Sequence, residues 1–205
     1  VRRKEFEVKE RQLIEEVLNK APIGYLSFNG ADGWPRITPL NFVYEDGWIY
    51  WHGAVAGERF HCLQQDSRAV FAAVLIPLYL PSYFTAEDNA TAATSTFKSV
   101  IVRGRVSSFI DPDEKCQVLN KLMAKYQPEG RYRKITPHDP FYAKILPATG
   151  VYGLRVEEMV GKFKFAQNKS GEDRKKIITK LKERGEATDL IVAEEIEKTL
   201  REIKS

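Results

Sequence analysis

Apolar positions along the chain change period more than once. Leu13, Ile14, Val17 and Leu18 recur at helical spacing, which predicts an amphipathic helix over 9–20, stopped by Pro22. Strands then dominate. Ile23–Phe28 is a short one, and Asn29-Gly30-Ala31-Asp32-Gly33 is a turn. Trp34–Tyr44 is the next, with Pro35 and Pro39 marking an edge or an irregular ladder. Asp46-Gly47 is a hairpin signal leading into Trp48–His52. A short helix fits 57–65, and Ala69–Ile76 and Phe97–Phe109 are further strands. In the second of these, Val100, Val102 and Val106 share a face and Gly104 predicts a bulge.

Between those strands, 77–96 reads as a long loop with Pro77 and Pro81, of the kind that often carries function. Asp111-Pro112-Asp113-Glu114 starts a helix whose buried stripe is Val118, Leu119, Leu122, Met123 and Tyr126. A second irregular stretch covers 127–149, and Val151–Val156 is the last clear strand. The tail is helical. Ser170 caps one helix, Gly185 ends it, and Thr188 caps another with Val192, Ile196, Leu200 and Ile203 on one face. Six short strands with tight turns and peripheral helices predict a mainly β, α+β chain built on a six-stranded antiparallel barrel. Two regions follow, a barrel domain over 1–160 and a helical extension over 161–205 that packs on the barrel or on a partner.

Composition adds that 205 residues, 43% hydrophobic and 29% charged, form a cored domain rather than a disordered chain. No apolar run approaches the roughly 18 residues needed to span a membrane. Cys62 and Cys116 are too few for a disulfide framework or a Cys-based zinc motif. The first residues carry no apolar signal core, so the cytoplasm is the default compartment. The net charge of +4 is uneven: 1–161 is near neutral, whereas 162–182 holds eight basic and two acidic residues. A basic stretch of this kind is either a solvated face or a contact for an acidic partner.

Candidate chemistry is sparse. His52, His61 and His138 are not spaced as helix-borne metal ligands, so no metal site is expected. No Gly-x-Ser-x-Gly elbow and no glycine-rich phosphate loop occur, and no catalytic residue is assigned. One constellation links Arg36–Asn41, the segment His52–Arg59 and Phe97-Lys98-Ser99. Basic and hydroxyl groups at strand ends can converge on a phosphate near a helix N-terminus. Arg36, Arg59 and Lys98 are otherwise unrelated surface charges.

Several motifs occur in a familiar order: Arg2-Arg3-Lys4, Ile23-Gly24-Tyr25-Leu26, Pro39–Gly47, Tyr50–Ala54 with Gly57 and Arg59, and Phe97–Val106. This resembles the nitroimidazole-resistance-like branch of the pyridoxamine 5′-phosphate oxidase-like superfamily. The segment Gly161–Arg174 is similar to the C-terminal signature of the PaiB-like FMN-binding proteins, some of them transcriptional regulators. The resemblance implies an FMN-binding split β-barrel, a homodimer with a flavin at the interface, and a small-molecule substrate rather than nucleic acid or a membrane.

Carried onto this sequence, the resemblance makes Arg59 the phosphate-binding cation, assisted by Arg36, Lys98 and Ser99. Ile37, Thr38, Pro39, Leu40 and Asn41 lie along the flavin ring. His52, Gly53 and Ala54 contact the ring or ribityl chain, and Gln167 and Asn168 reach a flavin from the tail. The implied activity is a flavin oxidoreductase acting on a pyridoxal-like or nitroaromatic compound. A PaiB-type regulator and a haem-binding split barrel are the alternatives. The stretch 77–96 departs from the family in its length.

Overall fold

The computed structural model describes residues 1–202. Its elements are β1 (Glu7–Val8), α1 (Arg11–Lys20), β2 (Gly24–Asn29), β3 (Pro35–Leu40), β4 (Val43–Glu45), β5 (Trp48–Ala54) and α2 (Glu58–Gln65). There follow β6 (Arg68–Leu80), β7 (Thr94–Phe109), α3 (Pro112–Tyr126), α4 (Pro140–Ile145), β8 (Thr149–Lys164), α5 (Gly171–Arg184) and α6 (Ala187–Glu202). The strand order is β3-β2-β6-β7-β8-β5-β4, and β1 pairs with β8. The registers of β2 with β3 and β6, of β4 with β5, and of β1 and β5 with β8 are antiparallel.

The sheet has eight strands, not six. The two-residue β1 is too short to show a period. The expected strand 34–44 divides at Asn41-Phe42, because Phe42 spends its backbone on Tyr126. Its N–H donates to the Tyr126 hydroxyl at 2.9 Å, and that hydroxyl lies 2.8 Å from the Pro22 carbonyl and 3.1 Å from the Phe42 carbonyl. A backbone satisfied by a side chain has no need of a ladder partner.

Other expectations change at strand ends. Pro77 does not stop β6, which passes Ile76 at φ 54 and runs to Leu80, so the loop shrinks to 81–93 and holds two 3₁₀ turns. The stretch 127–149 contains α4, capped by Asp139, whose Oδ1 accepts from the Phe141 N–H at 2.8 Å. The last strand extends to Lys164, well beyond Val156. Gly104 marks no bulge. Burial alternates without interruption through Val100, Val102, Gly104 and Val106, and a Cβ on Gly104 would lie 1.9 Å from the Arg155 carbonyl oxygen. Thr188 lies inside α6, and the buried Asp189 takes the Glu186 N–H at 3.3 Å. Ile203 falls outside the described residues.

The chain divides into two compact units. One comprises 18–73 and 101–159, and the other comprises 1–17, 74–100 and 160–205. In the first, Val118, Leu122 and Val151 form a core cluster with Val43, Tyr50, Phe109, Leu119 and Tyr126 packed against it. Its hairpin β4–β5 turns on Asp46 (φ 50) and Gly47 (φ 79), the two positive φ values that a two-residue turn matched to strand twist requires. In the second unit α5 and α6 pack on each other, with Ile177, Leu181, Val192 and Ile196 buried. Ser170 Oγ caps α5 by accepting from the Asp173 N–H at 3.1 Å, and Gly185 (φ 73) ends it. Among the described residues no helix is long and apolar enough to cross a membrane.

Candidate functional site

The site is assembled where β5 leaves the sheet and α2 begins. Gly53 and Gly150 face each other in the β5–β8 register. Neither could carry a side chain without displacing a neighbour. A Cβ on Gly53 would stand 2.2 Å from Arg59 Nη2, and one on Gly150 would stand 2.6 Å from the Tyr152 hydroxyl. That hydroxyl donates to the Ala54 carbonyl at 2.6 Å, which pins the end of β5. Burial raises the Tyr152 hydroxyl above its usual range, partly offset by the charge of Arg59. Tyr152 also stacks on the fully buried Trp51 at 5.9 Å, and the Trp51 indole N–H is buried without a partner.

Three observations make this corner suit an anion. Arg59 has no carboxylate partner among the described residues. α2 starts from Gly57, whose φ of 100 only glycine adopts readily and which offers no side chain to the first helical N–H groups. Those N–H groups and the helix dipole favour negative charge. A guanidinium beside them can grip a phosphate through two oxygens.

Arg36 is placed differently. It lies on β3, and its Nε donates to Glu58 Oε1 at 2.8 Å while Nη2 meets Asp32 Oδ2 at 3.0 Å and Nη1 donates to the Trp34 carbonyl at 3.1 Å. Both carboxylates hold its guanidinium more firmly protonated than usual. Its charge is thereby spent, but the Glu58 pair ties β3 to the start of α2. The β3 segment is thus fixed next to the corner even though β3 and β5 stand far apart in the strand order. Along β3, Ile37 and Pro39 are exposed, Thr38 is half-buried, Leu40 is buried, and Asn41 is exposed just beyond. His52 and Ala54 are exposed at the end of β5, and Gly53 is half-buried.

The four remaining sequence candidates belong to the other unit. Lys98 is buried and pairs with Glu195 at 2.9 Å, its ammonium over the rings of Phe163 (5.2 Å) and Phe165 (5.9 Å). Burial would raise the Glu195 carboxyl, but Lys198 and Lys98 hold it below its usual range. The Ser99 hydroxyl donates to the Lys162 carbonyl at 3.4 Å. Gln167 clasps its own turn, accepting from the Phe165 N–H at 2.6 Å and donating to the Phe163 carbonyl at 2.9 Å. Asn168 is exposed. Lys98 and Gln167 therefore spend their polar groups inside the protein.

Sequence reasoning missed Glu58, Gly150 and Tyr152. Glu58 adjoins Arg59 and could have been read as a carboxylate partner of Arg36. Gly150 and Tyr152 act on Gly53 and Ala54 through a strand register nearly a hundred residues away, which no local pattern encodes.

A family model described as pyridoxamine 5′-phosphate oxidase matches residues 10–163. No curated protein matches the chain. Among solved structures, the chain is similar to a candidate 5-nitroimidazole antibiotic resistance protein from Bacteroides thetaiotaomicron. That match has 20% identity and a TM-score of 0.63 over 76% of this chain and 85% of the other. It is similar to the flavocytochrome Anf3 from Azotobacter vinelandii at 23% identity, with a TM-score of 0.65 over 78% and 69% of the two chains. It is also similar to an FAD and haem binding protein from Mycobacterium smegmatis at 17% identity, with a TM-score of 0.66 over 82% and 78%. At these identities the likeness shows the fold, and it is the α+β split barrel expected from the sequence.

Proposed function

The chain belongs to the pyridoxamine 5′-phosphate oxidase family, and from that premise we propose that it is an FMN-binding flavoprotein that oxidises or reduces a small molecule. The observation that carries this reading is the unpartnered Arg59 guanidinium against Gly53 at the uncapped start of α2. Arg59 and the first α2 N–H groups hold the FMN phosphate. Thr38, Pro39 and Asn41, with His52, Gly53 and Ala54, flank the rest of the cofactor. A flavocytochrome and an FAD and haem binding protein among the structural neighbours support a flavin.

FMN, when bound, supplies the hydride or electron transfer. The chain's own residues then bind and orient. Arg59 anchors one end, and the Arg36–Glu58 pair fixes β3 beside it. The Tyr152–Ala54 bond holds the strand end against movement. No side-chain acid or base is required by this reading. A second copy of the chain covers the outer face of β2, β3 and β6. There Ile37, Ser27 and Val70 lie in one row and Pro39, Tyr25 and Ala72 in the next. Ile37 is 68% exposed and Trp34 72%, an apolar edge of the kind that marks an interface.

The test is a purified chain mixed with FMN, then NADH or NADPH, and a panel of nitroaromatic and pyridoxal-like compounds. Flavin retention with turnover of a panel member is the expected result. A protein that retains no flavin and turns over nothing overturns the reading. Sedimentation should give a dimer that Ile37→Lys dissociates.

A further inference from the structure

The basic segment of the sequence separates into two parts in the structure. On the helices three of its cations are paired, and the exposed Lys175 has no ion pair among the described residues. Lys176 pairs with Glu172 at 2.8 Å, Lys180 with Glu183 at 2.8 Å, and Lys182 with Glu197 at 2.7 Å. Arg174 is buried and donates to the Ile196 carbonyl and to Thr199. Ahead of the helices, Lys162 and Lys164 pair with no carboxylate among the described residues.

Two residues apart on β8, these lysines point to one face of the strand. There they meet Arg2, Arg3, Thr94 and Asn168 around a cavity of about 310 Å³. Two carboxylates stand at the edge of this group: Glu5 lies 3.9 Å from Arg3, and Glu7 is opposite Lys162 in the β1–β8 register without an ion pair to it. Lys164 Nζ donates to Thr94 Oγ1, and the Lys162 ammonium lies 5.3 Å from the centre of the Phe97 ring. Burial, with Lys162, Arg3 and Lys169 close by, pushes the Lys164 ammonium below its usual range. Four cations held together at the rim of a concavity repel one another, and a compact anion relieves that repulsion.

We propose that this cavity is a binding site for a compact phosphorylated small molecule, built from residues other than those of the Arg59 corner. Arg2, Arg3, Lys162 and Lys164 supply charge-assisted donors to phosphate oxygens, and Thr94 and Asn168 supply neutral ones. The volume admits a diphosphate or a small sugar phosphate. A nucleic-acid backbone instead needs a stripe of free cations, and on α5 Lys176, Lys180 and Lys182 are paired, which leaves Lys175 rather than a stripe.

The test is calorimetric titration of inorganic pyrophosphate into the full chain at low ionic strength, with and without saturating FMN. Parallel arms use orthophosphate and a short DNA duplex. Binding is expected in both FMN conditions. With FMN filling the Arg59 corner, it should be at least about tenfold weaker in the Lys162→Gln, Lys164→Gln double variant. The Arg2→Gln, Arg3→Gln variant gives an independent reading if the first fails to fold. Orthophosphate binding as tightly as pyrophosphate points to a monoester, and weaker binding points to a diphosphate. Either outcome supports the site. No pyrophosphate binding, binding lost only in Arg59→Gln, or DNA binding that the double variant abolishes each overturns it. The readout needs no flavin, so a chain that binds pyrophosphate but not FMN fails the functional reading and keeps this one.

Discussion

Arg59 lies across the bare backbone of Gly53, its Nη2 only 2.2 Å from where a Cβ would stand. The atom in the way is the far end of a flexible side chain, so the backbone can keep its course if the guanidinium moves. Gly53→Ala should therefore melt close to the wild type and still bind FMN about tenfold more weakly, because the phosphate ligand is displaced. Paired melting curves and flavin titrations check both halves. A variant that unfolds, or one that binds FMN as well as the wild type, contradicts the role given to this contact.

The Lys98–Glu195 pair makes a contrasting prediction. Both side chains are mostly buried, with relative exposures of 10% and 14%. Glu195→Gln leaves Lys98 charged and without its carboxylate, which should cost about 3 kcal/mol of stability. Urea denaturation measures it. The same variant should bind FMN with unchanged affinity at temperatures where it is folded.

Asp111 caps α3, its Oδ1 accepting from the N–H groups of Asp113 and Glu114 at 3.0 Å each. Asp111→Ala should cost about 1 kcal/mol. Asp111→Asn should recover most of it, because an amide oxygen accepts the same bonds. Urea midpoints of the three proteins provide the comparison.

Lys125 gives a pH dependence. Its ammonium donates to the Leu18 carbonyl at 3.1 Å and sits 3.8 Å from the centre of the Phe42 ring, and burial pushes its pKa down to about 8. Well below pH 8 the folded and unfolded chains both carry this proton, and the group contributes no slope. Between about pH 8 and its unfolded value of 10.5 the unfolded chain binds more protons. Stability from this group therefore rises with pH across that window. The wild type should gain stability relative to Lys125→Met between pH 7.5 and about 9.5. Lys164, also lowered, contributes equally to both proteins. Parallel pH profiles for the two proteins contradict the assignment.

Much of this fold is local and was readable. The hairpin at Asp46-Gly47, the Asp111 and Ser170 caps and the stop at Gly185 depend on residues within a few positions of one another. The errors arose where a distant partner decides. Tyr126 splits 34–44 by claiming the Phe42 backbone, and β1 exists only by pairing with β8. Gly104 is a close approach to Arg155, not a bulge. Of the candidate site, Arg59 and Gly53 could be picked out by residue type. Whether each cation is free could not be, because that depends on Asp32, Glu58 and Glu195. Residue type alone does not rank Arg36, Arg59 and Lys98, the resemblance puts Arg59 first, and of the three the structure leaves only Arg59 without a carboxylate.

The central claim is that Arg59 holds a flavin phosphate, and titration of FMN into the full chain and into Arg59→Gln tests it most directly. Quenching of flavin fluorescence reports the bound fraction. The account predicts saturable binding by the wild type, weakened about tenfold to a hundredfold in the variant, with the melting temperature unchanged. Equal affinity in the two proteins, or no saturable binding by the wild type, would contradict it.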